Sequence, residues 1–506
     1  MKEGNAHYMK REEFLRSLQR KILVLDGAMG TMLQRAGLRA GEAPEALNLR
    51  APEKVREVHE SYLKAGADIL QTNTFGGNRL KLSAYNLADK VTEINAKAVG
   101  IAKSVAKSTA LVSASIGPIG AFLEPLGTLS FDECYEIFKE QVEAVINAGT
   151  DLISIETMSD IYEMKACLLA IRDATDIPVL AHMTFGENLR TLSGTDPAAA
   201  VALLEAGGAT VVGANCSLGP KELIKVVEKM AKVAQIPLVV QPNAGMPQMI
   251  GEKTVYPVTP EEMGQYTIAL VNAGANIIGG CCGTTPEHIS AIAEAAANLR
   301  PSVKAGQNIS LLSGWRTVTV LSPSERSVLV SEPIDIVEAG DNLSSIALEH
   351  KDLGAQLLYL TIPSGLDLKS RLYELQMISD MPLLIANDDP QGLTEILKSV
   401  MGKAWIRLSI ASEEVLDRVL PIAKRFGAGL VIPTQDSKYP AENLESALDI
   451  VRDIADKVLN SGIQKHEIFI DVTLDSQGLY AIDDLERLEV LKGLWEKFRF
   501  RTLEFI

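Results

Sequence analysis

Short apolar runs and longer amphipathic stretches alternate along the first three hundred residues. The runs fall at 22–25, 68–71, 110–114, 152–155, 178–182, 210–213, 237–240 and 276–279, each closing on polar residues or glycine. Between them, apolar residues recur at helical spacing, as in 52–65, 131–148, 220–233 and 260–273, and an eighth such stretch spans 286–299. Several stretches stop at a glycine (Gly66, Gly149, Gly207, Gly274), the residue that most readily ends a helix. Runs that are apolar on both faces suit parallel strands covered by helices. Eight such units without a break predict a closed (β/α)8 TIM barrel over residues 1–300, with an open doubly wound sheet as the competing arrangement.

Residues 301–326, rich in Ser, Gly and Thr, break this rhythm and read as a linker, one that packs on the first barrel rather than floats. A second series of runs follows at 328–331, 357–362, 382–387, 405–409, 429–433, 468–472 and 500–506. Seven runs predict a second, incomplete TIM-barrel-like domain over 327–506, with an unpaired strand edge that something should cover. The expected class is thus α/β, one complete barrel followed by a partial one.

Composition narrows the partners. Hydrophobic residues make up 47% and charged residues 23%, ordinary for a soluble globular protein. A net charge of -16 argues against a nucleic-acid partner, which needs clustered Lys and Arg. Residues 1–20 are polar and show no apolar leader core, and no apolar run reaches the roughly 18 residues of a membrane span. Five cysteines in this length form no disulfide framework, so reduced thiols and a cytoplasmic location are expected, with no membrane partner.

In a barrel the residues that follow each strand share one mouth. Here they include Asp26-Gly27, Thr72, Glu156, Cys216, Asn243 and the vicinal pair Cys281-Cys282, which sits between glycines. Cys216 lies far upstream of that pair, a spacing foreign to a zinc finger but natural for residues ending strands six and eight. Three thiolates would leave a tetrahedral zinc ion with an open fourth position, as catalytic zinc sites have. A strained vicinal disulfide and plain core packing are the competing readings. Cys134 and Cys167 fall in helical stretches and read as core residues. His182 reads as a satisfied core histidine.

A zinc ion held by three thiolates activates water poorly. It suits a substrate thiol, whose pKa it lowers, and the implied reaction is alkyl transfer to that thiol. Asn243 is placed to fill the fourth position before substrate arrives. Asp26 and Glu156 suit an α-ammonium group, and the amides of residues 27–30 suit a carboxylate. A turn or cap role competes for Asp26; for Glu156, at the end of a buried strand, a bare carboxylate would be costly.

The segments Asp26-Gly27-Ala28-Met29-Gly30-Thr31, Gln71-Thr72-Asn73-Thr74-Phe75, Gly213-Ala214-Asn215-Cys216-Ser217, Gln241-Pro242-Asn243-Ala244-Gly245 and Gly279-Gly280-Cys281-Cys282-Gly283-Thr284-Thr285-Pro286 occur in this order. Together they resemble the homocysteine S-methyltransferase family over roughly residues 10–300. The resemblance implies Cys216, Cys281 and Cys282 as zinc ligands with the homocysteine sulfur as the fourth. It also implies that Asp26, Gly27, Thr72 and Glu156 hold the amino-acid end. The domain order resembles the N-terminal half of the cobalamin-dependent methionine synthases, where a pterin-binding barrel for methyltetrahydrofolate comes second. Here the second series departs from that pattern: Ser331-Glu332-Pro333 replaces Gly-Glu-Arg, and Tyr359-Leu360-Thr361 replaces Asp-x-Asn. Glu332, Asn387 and Asp471 are what remains of a folate site, and the losses put folate binding in doubt. The other reading is a barrel kept for packing or docking. The chain has no Asp-x-His-x-x-Gly cobalamin motif, so the resemblance implies a corrinoid on a separate protein or a missing domain. Donors of the betaine or S-methylmethionine type, or a non-catalytic homocysteine-binding module, are the alternatives.

Overall fold

The computed structural model describes residues 9–39, 41–250, 253–302, 309–434, 444–471 and 500–506. It divides into two compact units, Met1–Ala305 and Gly306–Ile506. Both are α/β and barrel-like. No described helix is long and apolar enough to cross a membrane.

The first unit carries β1 (Leu23–Val24), β2 (Ile69–Gln71), β3 (Leu111–Ile116), β4 (Leu152–Met158), β5 (Val179–Met183), β6 (Val211–Asn215), β7 (Leu238–Gln241) and β8 (Ala275–Ile278). They form one parallel sheet in the order β1-β8-β7-β6-β5-β4-β3-β2, and a parallel bridge between Leu25 and Ile69 joins its ends. The expected eight-unit barrel is what the chain builds. Alternation along each strand sorts its interior into layers. Leu25, Ile69, Leu152, Leu180, Val211, Val239 and Ile277 pack as one buried apolar cluster, joined from below by Phe14 and Leu18 of the helix Arg11–Leu18. Full burial of each such side chain contributes about 1.5–3 kcal/mol, and truncating one, as in Leu180→Ala, should cost about 2–5 kcal/mol. Two residues further along the strands the same face carries Gln71, Ser154, His182, Gly213, Gln241 and Gly279. The barrel is apolar at its base and polar towards its mouth.

The helices start where their caps dictate. Ser130 and Thr259 close capping boxes with Glu133 and Glu262, and Pro260 and Pro286 occupy first-turn positions where a missing N–H is harmless. The helices Phe131–Asn147 and Ile161–Ala174 bury Cys134 and Cys167. A small antiparallel hairpin, Gln248–Ile250 with Lys253–Val255, interrupts the connection after β7 and has no counterpart in the sequence reading.

The second unit carries β9 (Ser327–Val330), β10 (Ile334–Asp335), β11 (Leu358–Thr361), β12 (Leu383–Ala386), β13 (Trp405–Arg407), β14 (Gly429–Pro433), β15 (Ile468–Asp471) and β16 (Arg501–Phe505). The first expected run, 328–331, forms β9, and β10 is an additional strand that the seven expected runs did not include. The sheet order is β9-β16-β15-β14-β13-β12-β11-β10. The edge expected to be open is taken by the last strand: β16 pairs with β15 on one side and β9 on the other. Val330 bridges Leu357. Residues of the expected linker form a hairpin, Ser310–Ser313 with Val318–Leu321. Its Leu312 and Leu321 belong to the interior cluster of this unit, and Trp315 donates from Nε1 to the Gln376 carbonyl at 2.8 Å. That interior is filled by aromatics, with Trp405 and Phe469 stacked at 3.9 Å between ring centres.

Candidate metal centre

The three strand-end cysteines of the first unit converge. The sulfurs of Cys216, Cys281 and Cys282 all lie within 4.8 Å of one another, and they form the one such cluster of potential metal ligands among the described residues. Cys216 and Cys282 are 3.8 Å apart at sulfur, too far for a disulfide.

Backbone hydrogen bonds hold this geometry. Cys216 donates its amide to the Gln241 carbonyl, and Cys281 donates to the Pro242 carbonyl at 2.8 Å. Ala244 donates to the Cys282 carbonyl at 2.9 Å. Asn243 is thereby laid directly alongside the vicinal pair. Its Oδ1 is buried without a hydrogen-bond partner. Cys216 and Thr157 both adopt positive φ, at 61° and 60°, an uncommon conformation for residues with a side chain that costs about 1–3 kcal/mol each. Asn215 stabilises this arrangement. Its Oδ1 accepts from the Thr157 amide at 2.8 Å, and its Nδ2 reaches the Thr157 hydroxyl at 3.1 Å while lying 4.0 Å from the Cys281 sulfur.

The donor set itself suits a cation. Cys216 and then Cys281, as hydrogen-bond partners of its sulfur, draw the Cys282 thiol down to about 3. The Cys281 thiol is pushed well up, chiefly by its hydrogen bond to Cys216. One thiolate therefore forms readily, and further ionisation needs a positive charge among the sulfurs. A soft divalent ion such as zinc supplies that charge, and the residues fit it.

The carboxylates lie beside the cluster's mouth. Glu156 sits where the β4–β5 register shifts between Ile155 and Met158, a bulge of the kind that re-aims a side chain. Its Oε1 accepts from Gln71 Nε2 at 2.5 Å, and Ser115 adds a second hydrogen bond. Burial pushes its carboxyl up to about 7. Asp26 is buried and accepts the Gln71 amide at 2.9 Å through Oδ2, while its Oδ1 has no partner. Burial holds Asp26 well above the usual carboxylate range; the Gln71 amide offsets part of this, and the neighbouring Glu156 adds to it. A buried and a half-buried carboxyl, neither ion-paired with a described residue, match an ammonium group. Gly27 is required by close packing: a Cβ there would lie 2.8 Å from the Tyr62 ring and 2.9 Å from the Thr284 hydroxyl. Thr72 is buried, its hydroxyl bonded to that of Thr74 at 2.6 Å and accepting the Ser115 amide at 3.2 Å.

Residues outside the expected site complete it. Gln241 Nε2 donates to Gln71 Oε1 at 2.7 Å, so two amides cross the barrel and end on Glu156. The Tyr256 hydroxyl is hydrogen-bonded to the Cys282 sulfur, and its ring covers Gly283, where a Cβ would lie 2.2 Å from it. His182 departs from the expectation of a satisfied core residue. Its Nδ1 bonds the Ile155 carbonyl at 2.8 Å, but its buried Nε2 has no partner. Strand alternation, which puts residues two apart on one face, is the signal that could have found Gln71 and Gln241; Tyr256 carries no such signal.

The expected folate residues of the second unit are not brought together in a comparable way. Glu332 is exposed. Asn387 spends its side chain between two loops, donating to the Ile362 carbonyl after β11 at 2.7 Å and accepting the Asp389 amide of its own loop at 2.9 Å. Asp471 is fully buried and paired with Arg407 at 2.6 Å.

Fold and cluster define the first unit as an α/β barrel with a thiol-rich, metal-suited mouth. A family model described as homocysteine S-methyltransferase matches residues 23–296, more than half the chain, and the chain belongs to that family. It is 30% identical over 532 aligned residues to a methionine synthase from Mycobacterium tuberculosis, covering 95% of this chain and 44% of that protein. It is 29% identical to a methionine synthase from Mycobacterium leprae, covering 91% of this chain and 42% of that one. The chain thus spans less than half the length of these relatives. Among solved structures, the metallated form of the homocysteine methyltransferase MmuM from Escherichia coli is 26% identical, with a TM-score of 0.49, covering 55% of this chain and 99% of that one.

Proposed function

We propose that this chain transfers a methyl group to the thiol of homocysteine, giving methionine, with zinc held by Cys216, Cys281 and Cys282. The observation that carries this reading is the convergence of three thiols from the ends of β6 and β8 beside the carboxyls of a buried Asp26 and a half-buried Glu156, neither ion-paired with a described residue. Zinc in a thiolate set lowers the pKa of a substrate thiol and leaves its sulfur nucleophilic.

The chain's own residues do the rest. Asp26 and Glu156 bind the α-ammonium group, and Gln71, itself oriented by Gln241, aims the Glu156 carboxylate. Gly27, packed against Tyr62 and Thr284, contributes its backbone to the amino-acid end, and Thr72 holds the β2–β3 end that carries Gln71. Asn243, with its unpartnered Oδ1, takes the fourth metal position when substrate is absent. Methyl transfer forms one S–C bond and breaks the bond from the methyl carbon to the donor. The thiol proton leaves to solvent before the attack.

The donor in this reading is a methylcorrinoid carried by another protein or domain, in keeping with the methionine synthase relatives and the absence of a cobalamin motif from this sequence. The setting is cytoplasmic. The test is a methyl-transfer assay of the zinc-loaded chain with homocysteine against methylcobalamin, a betaine, S-methylmethionine and methyltetrahydrofolate. Turnover with methylcobalamin is expected. Turnover with a small donor alone would replace the corrinoid, and binding of homocysteine without turnover on any donor would leave a binding module.

A further inference from the structure

The second barrel is closed from within. Its interior cluster holds Tyr359, Trp405, Val431, Phe469 and Leu503, and the Trp405–Phe469 stack fills its centre. Two residues beyond Trp405 on β13 is Arg407, and two beyond Phe469 on β15 is Asp471. The strand period puts both on the inward face, one layer nearer the mouth. There Arg407 Nε lies 2.6 Å from Asp471 Oδ2, its Nη1 donates to the Leu408 carbonyl at 3.2 Å, and its guanidinium lies 5.9 Å from the Tyr359 ring centre. Asp471 is wholly buried, and the Arg407 side chain is 19% exposed.

A guanidinium and the amino-pyrimidinone edge of a pterin are chemically alike. Each is planar and presents adjacent N–H donors that match a carboxylate. We infer that Arg407 acts as a built-in stand-in for that edge, occupying Asp471 and closing the second barrel to folates. Displacing it would strand a buried carboxylate or require the guanidinium to leave, a cost that a weakly held ring does not offset. The other two acceptors that a ring would need are also committed or turned away, Asn387 to the Ile362 carbonyl and the Asp389 amide and Glu332 to solvent. The inference bears on where the methyl group comes from in the proposed function, but it stands on the second barrel alone.

The test is thermal melting of the full chain and its Arg407→Ala variant, each with methyltetrahydrofolate and with 6-methylpterin up to about 1 mM, a range that would reveal even weak binding. The wild-type chain should not shift with either ligand. Arg407→Ala should melt several degrees lower and regain at least half of that loss with the pterin, which replaces the missing donors. Arg407→Gln, which keeps one donor and most of the volume, serves if the alanine variant does not fold, and should respond in the same direction. A wild-type chain stabilised by micromolar methyltetrahydrofolate would overturn the inference. So would variants that fold and ignore the pterin. Neither result touches homocysteine methylation, which is read in a separate assay.

Discussion

The two barrels share an architecture and differ in what their mouths leave unsatisfied. At the strand ends of the first barrel, Asp26 Oδ1, His182 Nε2, Gln241 Oε1 and Asn243 Oδ1 are buried without partners. The Gln241 and Asn243 oxygens can only accept, the Asp26 oxygen accepts when ionised, and the His182 nitrogen accepts when its other nitrogen donates to Ile155. At the strand ends of the second, only the Thr434 hydroxyl is left so among the described residues, and the buried carboxylate is paired with Arg407. An unsatisfied buried polar group costs about 1–3 kcal/mol, so a protein keeps several in one place when a ligand satisfies them. In the proposed function an ammonium group and a metal ion would meet the acceptors of the first mouth. In the second, Arg407 already meets the buried carboxylate of Asp471.

The largest effect expected from breaking this contrast is at the cysteines. Cys282→Ala should abolish zinc retention and reduce methyl transfer to background, because the three ligands act as a unit; zinc analysis and the transfer assay check it together. Next is Glu156→Ala. Loss of a charge-assisted contact should weaken homocysteine binding by about 10- to 100-fold with zinc retained, as read by calorimetry.

The pH dependence follows from the same carboxyl. Glu156 is protonated below about 7 and ionised above, and the ammonium pairs with the ionised form. Homocysteine affinity should therefore climb as pH rises through 7 and level off above it, and Glu156→Gln should flatten that profile. The sign for stability is opposite. A carboxyl whose folded value is raised from 4.5 to about 7 favours the fold at low pH, and that contribution is lost as pH rises through this window.

A smaller change should come from Gln71→Leu. It removes the donor to Glu156 and leaves Gln241 Nε2 without its Gln71 partner, so affinity should fall about fivefold, with the midpoint of the pH profile moved upward. A leucine that lowers affinity without moving the midpoint would reduce Gln71 to packing. The smallest effect is assigned to the second barrel. Asn387→Ala should leave homocysteine affinity within about twofold, as substitutions without shared partners usually do.

Much of this was legible in the sequence, for a physical reason. A parallel barrel gives each strand end the same address, so the apolar runs alone brought Asp26, Glu156, Cys216, Asn243 and the Cys281–Cys282 pair to one mouth. Periodicity does not say which side chains meet across the interior. The Gln241–Gln71–Glu156 chain links β7, β2 and β4, and it depends on barrel closure. Tyr256 reaches Cys282 from the segment after a hairpin that carries no strong turn signal. Arg407 was within reach: Trp405-Ile406-Arg407 alternates, and a buried tryptophan puts the arginine two positions on in the same interior. Its partner Asp471 was singled out because it matches the pattern of the resembled family, and a match in residue type does not say whether a carboxylate awaits a ring or already holds a guanidinium.

The claim on which the account turns is that the three thiols of the first barrel hold a metal ion. The direct measurement is zinc content of the purified chain after dialysis, with folding followed by circular dichroism. The account predicts about one zinc per chain, bound tightly enough to survive dialysis and lost from Cys281→Ala. A folded wild-type chain that retains no zinc, takes none up on addition, and still methylates homocysteine would contradict it.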